Sequence, residues 1–148
     1  MDVHRLLADE DRGWLELTEV FGDVPPERFD EPSVTDAGWA PKDVMYHVAA
    51  WADEAATVLG RIAACTHREG DLDTDAKNAE WHEVGRGLDD DIVRIRFAKG
   101  RTAMRQAFTA LPEVDAAAWE WFHESGPRHY DEHLSDLRAF LERGTDRP

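Results

Sequence analysis

Cysteine is nearly absent from this sequence. The 148 residues contain one, Cys65, which excludes an internal disulfide and a cysteine-rich zinc site. A reducing cytoplasm is the expected compartment. No apolar run is long enough to cross a bilayer. The N-terminus is acidic from Asp2, with no basic flank and no small-residue cleavage site, so it does not read as a signal peptide. Positive charge is scarce as well: 17 Lys and Arg against 32 Asp and Glu give a formal net charge of −15. Such a surface repels phosphate backbones and anionic lipids, so neither nucleic acid nor a membrane is an expected partner. Internal repeats and low-complexity tracts are missing too.

What is there points to a packed helical domain. Apolar residues make up 42% of the chain, which excludes a disordered polymer despite 33% charged residues. The length suits one domain, residues 1–148, with a sustained core. Four segments carry helical spacing. In the first, Val3, Leu6, Leu7, Trp14, Leu17 and Phe21 make the stripe, and Gly22 with Pro25-Pro26 ends it. The second opens at Pro41, with Asp43 in its first turn. Its stripe is Val44, His47, Val48, Trp51, Ala55, Val58, Leu59 and Ile62. The third runs over 88–111 through Val93, Phe97, Met104, Phe108 and Leu111, with Gly100 inside it as a candidate close helix contact. The fourth follows Gly126-Pro127 and ends before Gly144, with Tyr130, His133, Leu134, Leu137, Phe140 and Leu141 on one face.

Only residues 92–97 alternate like a strand, and their apolar spacing continues helically to Leu111, so they are assigned to helix. The connections 22–40, 65–87 and 112–126 are longer than bundles usually need, which suggests crossovers or loops closing over a site. The expected fold is all-α: a four-helix bundle with a long crossover between helices two and three.

The chemistry rests on histidine. His129 and His133 stand one turn apart on one helix face, so both rings can converge on one ion. His47 lies on the apolar stripe of another helix, where an unpaired imidazole would cost about 1–3 kcal/mol. The residues leave two readings open. His47 is a core histidine bonded to a carbonyl or to Tyr130, and His129 and His133 are a solvent-facing pair. Alternatively, all three project inward and hold a divalent ion, as facing helices do in bundle metalloproteins. Three neutral imidazoles suit zinc, nickel, copper or iron(II), with zinc and nickel expected first, and leave a coordination position open.

The segment from Gly38 to Trp51, Gly-Trp-Ala-Pro-Lys-Asp-Val-Met-Tyr-His-Val-Ala-Ala-Trp, resembles the second-helix motif of the DinB-like superfamily. That superfamily includes the N-terminal domains of mycothiol-dependent maleylpyruvate isomerases. The segment from Arg128 to Leu137 is similar to its fourth-helix motif with the HxxxH pair. The resemblance covers essentially the whole chain. It implies the crossover bundle, a divalent ion at His47, His129 and His133, and frequent homodimerisation. It also implies enzymes of the thiol-dependent isomerase, S-transferase or metal-dependent hydrolase kind. Relatives often carry Ser or Thr at position 40, where this chain has Ala40; the missing cap should cost about 0.5–2 kcal/mol.

An open position on the ion can bind a low-molecular-weight thiol of the mycothiol or bacillithiol type as thiolate. The expected function is an S-transferase or isomerase acting on a small electrophile in detoxification. A hydrolase activating water on a hydrolysable substrate, or a non-catalytic metal- or ligand-binding dimer, are the alternatives. Cys65 falls off the helix-two stripe and reads as an ordinary semi-buried thiol. Pocket candidates are Trp51, one turn beyond His47, then Asn78 at the mouth, Trp81 as a cover, and His123 beside Glu124. Each also has a plainer reading as a packing or surface residue. His4 and His67 read as solvated, and the Trp119–Phe122 stretch as core or dimer contact.

Overall fold

The four stripes become helices, and so do two of the stretches between them. The computed structural model describes residues 1–70 and 72–145; Asp71 and residues 146–148, which the 1–148 domain includes, lie outside the described residues. The chain forms α1 (Val3–Asp23), a 3-10 turn (Pro26–Arg28), α2 (Pro41–Ala63), α3 (Thr74–Arg86), α4 (Asp90–Thr109), α5 (Ala116–Ser125) and α6 (Pro127–Thr145). No strand occurs among the described residues. The long helices α1, α2, α4 and α6 are the four expected ones, and α3 lies in the crossover from α2 to α4. Connections 65–87 and 112–126 are therefore not plain loops.

Local chemistry accounts for most of the helix starts. Asp2, Asp73 and Asp115 cap α1, α3 and α5, their carboxylates accepting from the backbone N–H of Arg5 at 3.1 Å, Ala76 at 3.0 Å and Ala118 at 2.8 Å. At α2 the cap residue is Ala40, which has no side-chain acceptor. Only the returning half of a capping box forms: the Asp43 carboxylate accepts from the Ala40 N–H at 2.8 Å. Residues 92–97 are helical within α4. Val93 and Phe97, four apart, are buried, while Ile92 and Ile95 are exposed, so 3.6-residue spacing wins over the apparent alternation.

Helices α2 and α4 pack intimately because Gly100 lets them. A Cβ there would fall 2.9 Å from the Ala49 carbonyl oxygen of α2. Two apolar clusters fill the interior. One gathers Leu17, Phe21, Phe29, Val44, Val93, Tyr130, Leu137 and Phe140. The other gathers Leu6, Ala55, Leu59, Met104, Phe108 and Phe122, with Phe108 and Phe122 stacked at 4.1 Å. Each fully buried side chain of this size contributes about 1.5–3 kcal/mol.

A fully buried charge lies among them. Glu10 of α1 is fully buried and is gripped by α4: Arg101 donates to its carboxylate at 2.6, 2.9 and 3.1 Å and Arg105 at 3.1 Å. The Tyr130 hydroxyl of α6 also donates to it, at 3.4 Å. This triple tie fixes three helices around one carboxylate. It also settles the partner of Tyr130, which is Glu10 and not His47.

Candidate metal centre

Helix α2 carries His47 on its inward stripe, and α6 carries His129 and His133 in its first two turns. The sharp junction from α5 to α6 sets the start of that pair. It turns at Gly126, where a Cβ would meet the Phe122 carbonyl oxygen at 2.8 Å. The three rings meet. His129 Nε2 lies 2.9 Å from His47 Nε2. Ring centroids are 4.7 Å apart for His47–His129, 5.1 Å for His47–His133 and 4.7 Å for His129–His133. One nitrogen from each lies within 4.8 Å of the others.

Burial makes these rings bases that stay neutral. His47 is pushed down to about 3, first by burial, then by the neighbouring His133 and His82. His129 falls well below the ordinary histidine range for the same first reason, then through His133 and His47. His133 is also lowered by burial, against the opposing pull of Glu132 and Asp136. Neutral imidazoles keep a lone pair free for a metal.

The donor set fits a divalent ion on its own terms. His133 Nε2, His47 Nδ1 and His129 Nδ1 are buried with no hydrogen-bond partner among the described residues. Orphaned buried nitrogens cost free energy unless something fills the gap. Three nitrogen donors with no thiolate would suit a divalent transition-metal ion, and three protein ligands would leave a fourth position free.

A cavity of about 710 Å³ opens above the histidines, with His47 and His129 in its wall. Trp51 and Asn78 line it too, and they are joined: Trp51 Nε1 donates to Asn78 Oδ1 at 2.7 Å. Trp81 is not among the residues lining the cavity; its ring meets that of Trp51 edge-on, centroids 4.9 Å apart. His123 lies elsewhere, in a shallow depression with Asp9, Arg12 and Arg128, 3.6 Å from the Glu124 carboxylate.

Other positions depart from expectation. Cys65 is exposed, not semi-buried, because it takes the left-handed position (φ 58°) just past the end of α2. His67 is half-buried in the cavity wall and not simply solvated. Trp121 lines the cavity while its neighbour Phe122 is core. His82 stacks flat on Trp39 at 4.9 Å, 3.6 Å from the Asp43 carboxylate, and Trp39 in turn meets the His47 ring edge-on at 5.0 Å. Nothing in the local sequence signals these contacts, since each joins separate elements. The Trp39 to His47 spacing across the α2 start is the one available hint.

A family model described as the mycothiol maleylpyruvate isomerase N-terminal domain matches residues 11–142. Two crystal structures of a mycothiol-dependent maleylpyruvate isomerase superpose on the chain. The histidine-to-alanine mutant has a TM-score of 0.78 at 17% identity, and the other structure 0.76 at 19%. Each match covers 93% of this chain and 61% of the solved one. At that identity the likeness shows a shared fold, and the chain spans 61% of the length of those solved proteins. No curated protein matches by sequence.

Proposed function

Because the chain belongs to the mycothiol maleylpyruvate isomerase N-terminal domain family, we propose that it is a metal-dependent enzyme using a low-molecular-weight thiol of the mycothiol or bacillithiol type. Its reaction on this reading is S-transfer to, or isomerisation of, a small electrophile. The observation that carries the reading is the convergence of His47, His129 and His133 within 4.8 Å, with His47 and His129 in the wall of an open cavity.

His47, His129 and His133 would hold the ion. A bound divalent ion would supply acidity to a thiol at neutral pH, turning it into a nucleophile. The chain's own residues do the rest. Burial keeps the three imidazoles neutral and able to donate lone pairs. Trp51, fixed by Asn78, offers a flat apolar wall one turn from His47 against which a substrate can be oriented. The exposed Cys65 is not among the residues lining the cavity, so the sulfur comes from outside the chain.

Conjugation of monochlorobimane tests the proposal. The thiol sulfur displaces chloride from carbon and the thiol proton passes to solvent. Metal-loaded protein should accelerate this with mycothiol or bacillithiol, and chelator should abolish the acceleration. Absence of metal-dependent turnover with every cellular thiol would refute it; turnover of ester or amide substrates without thiol would point to a hydrolase instead.

A further inference from the structure

The cavity is a long groove, and its two ends differ in chemistry. At about 100° per residue, Trp51, Glu54, Val58 and Arg61 all fall within about 40° of His47 around the α2 axis. These five residues line the same cavity. At a rise of about 1.5 Å per residue, Arg61 lies about 21 Å along the axis from His47. Along α2 the groove therefore starts at His47, passes Trp51, Glu54 and Val58, and reaches Arg61, with His67 and Arg68 of the following loop also in its lining.

Acidic residues outnumber basic ones in this molecule, 32 to 17, and seven of its 14 arginines are held in ion pairs among the described residues. Arg12, Arg28, Arg86, Arg101, Arg105, Arg128 and Arg138 each pair with a carboxylate. Arg61 and Arg68 have no ion-pair partner among the described residues; the same is true of Arg5, Arg94 and Arg96, but Arg61 and Arg68 both line the cavity. Five glutamates line it too: Glu54 is held by Lys77 at 3.9 Å and Glu124 and Glu132 by Arg128 at 3.3 and 3.5 Å, which leaves Glu69 and Glu120 against the two arginines. A basic residue in the last turn of α2 is favoured by the helix dipole alone. The dipole does not explain a second arginine, Arg68, that lines the same cavity from the following loop with no ion pair among the described residues.

We infer that the groove binds an elongated ligand whose far end carries a carboxylate, held by Arg61 and Arg68 while its other end reaches the three histidines. This rests on the thiol-dependent reading for the near end and adds the class of ligand: a thiol, or thiol conjugate, with a distal carboxylate. Guanidinium groups suit that role because they present paired donors to a carboxylate.

The test is calorimetric titration of zinc-loaded protein with mercaptopropionate, mercaptooctanoate, mercaptoundecanoate and mercaptohexadecanoate, beside the matching mercapto-alcohols. Binding should tighten with length for the acids and then level or fall, and the acids of best length should exceed their alcohols about tenfold. Arg61→Ala with Arg68→Ala should erase that difference, Arg61→Lys should restore part of it, and Arg5→Ala, which removes the same charge elsewhere, should leave it unchanged. Thiol-free fatty acids on metal-free protein isolate the far end. If they bind in an Arg61-dependent way while the thiol group adds nothing to zinc-loaded protein, the thiol reading fails and the anion end stands. If thiols bind but acids and alcohols do not differ, or the double variant keeps the difference, the anion end is overturned and the thiol reading stands.

Discussion

His47 and His129 face each other through the same ring atom, Nε2 to Nε2 at 2.9 Å, from helices 82 positions apart. One neutral imidazole can donate there and the other accept, yet the Nδ1 atoms of both rings are buried without partners. The contact therefore uses one nitrogen of each ring and leaves the other buried without a partner among the described residues.

Metal content follows first. Protein purified without a polyhistidine tag should carry about one equivalent of zinc or nickel, and His133→Ala should lose most of it. Elemental analysis reads the outcome, and full loading in the variant would remove His133 from the ligand set.

Stability of the metal-free protein should fall with acid. His47 titrates about 6.5 in the unfolded chain and about 3 in the fold. Between those values the unfolded chain binds a proton that the native state refuses. Native stability therefore declines as pH drops from about 6.5, by about 1.4 kcal/mol per pH unit for this group, and the effect is absent above. His129 and His133 shift in the same direction and add to it. Urea midpoints of chelator-treated protein between pH 7.5 and 5, compared with His47→Phe, would show a shallower slope in the variant.

Glu10→Ala should be among the more damaging single changes outside the histidine cluster. It removes the fully buried carboxylate that Arg101 and Arg105 share and leaves both, 20% and 26% exposed, with only the half-exposed Asp11 as carboxylate partner, at 2.7 and 3.1 Å. A loss of about 2–4 kcal/mol is expected in urea unfolding. Tyr130→Phe, which gives up only a 3.4 Å hydrogen bond, should cost about 0.5–1.5 kcal/mol.

Gly100→Ala sets two effects against each other. Alanine gains about 1 kcal/mol of helix propensity. Its methyl would also stand 2.9 Å from a backbone oxygen that cannot rotate away, and overpacking costs about 1–3 kcal/mol. The α2–α4 contact should win, giving net destabilisation in thermal or urea melts.

Ala40→Ser should stabilise. The start of α2 keeps only the Asp43 half of its capping box, and a hydroxyl at position 40 would complete it for about 0.5–1 kcal/mol. A rise in the urea midpoint without a change in slope is the expected reading.

Much of the architecture was legible because the long helices are amphipathic. Val93 with Phe97, or Leu134 with Leu137, announce an inward face by spacing alone. Helix α3 left no such trace. Its only buried residue is Gly85, so it is held by caps and by contacts with α2 rather than by a stripe of its own. Helix α5 hid for another reason: Trp119, Trp121 and Phe122 are too closely spaced to show one face, and they serve two, Phe122 the core and Trp121 the cavity. The HxxxH pair was visible locally. The Trp39–His82 stack and the place of His67 were not, since both depend on where the crossover lands.

The same separation in sequence has a consequence for folding. His47 sits in the first third of the chain and His129 near its end, so a ligand gripping both would close a loop of 82 residues. Loop closure of that length removes several kcal/mol of chain entropy from the unfolded ensemble when the link persists there. A link formed only in the native state stabilises by mass action instead. Either way, occupancy of the three-histidine cluster would act as a clasp between the two ends of the bundle. Its strength would be read in the rate at which α6 detaches as much as in any turnover.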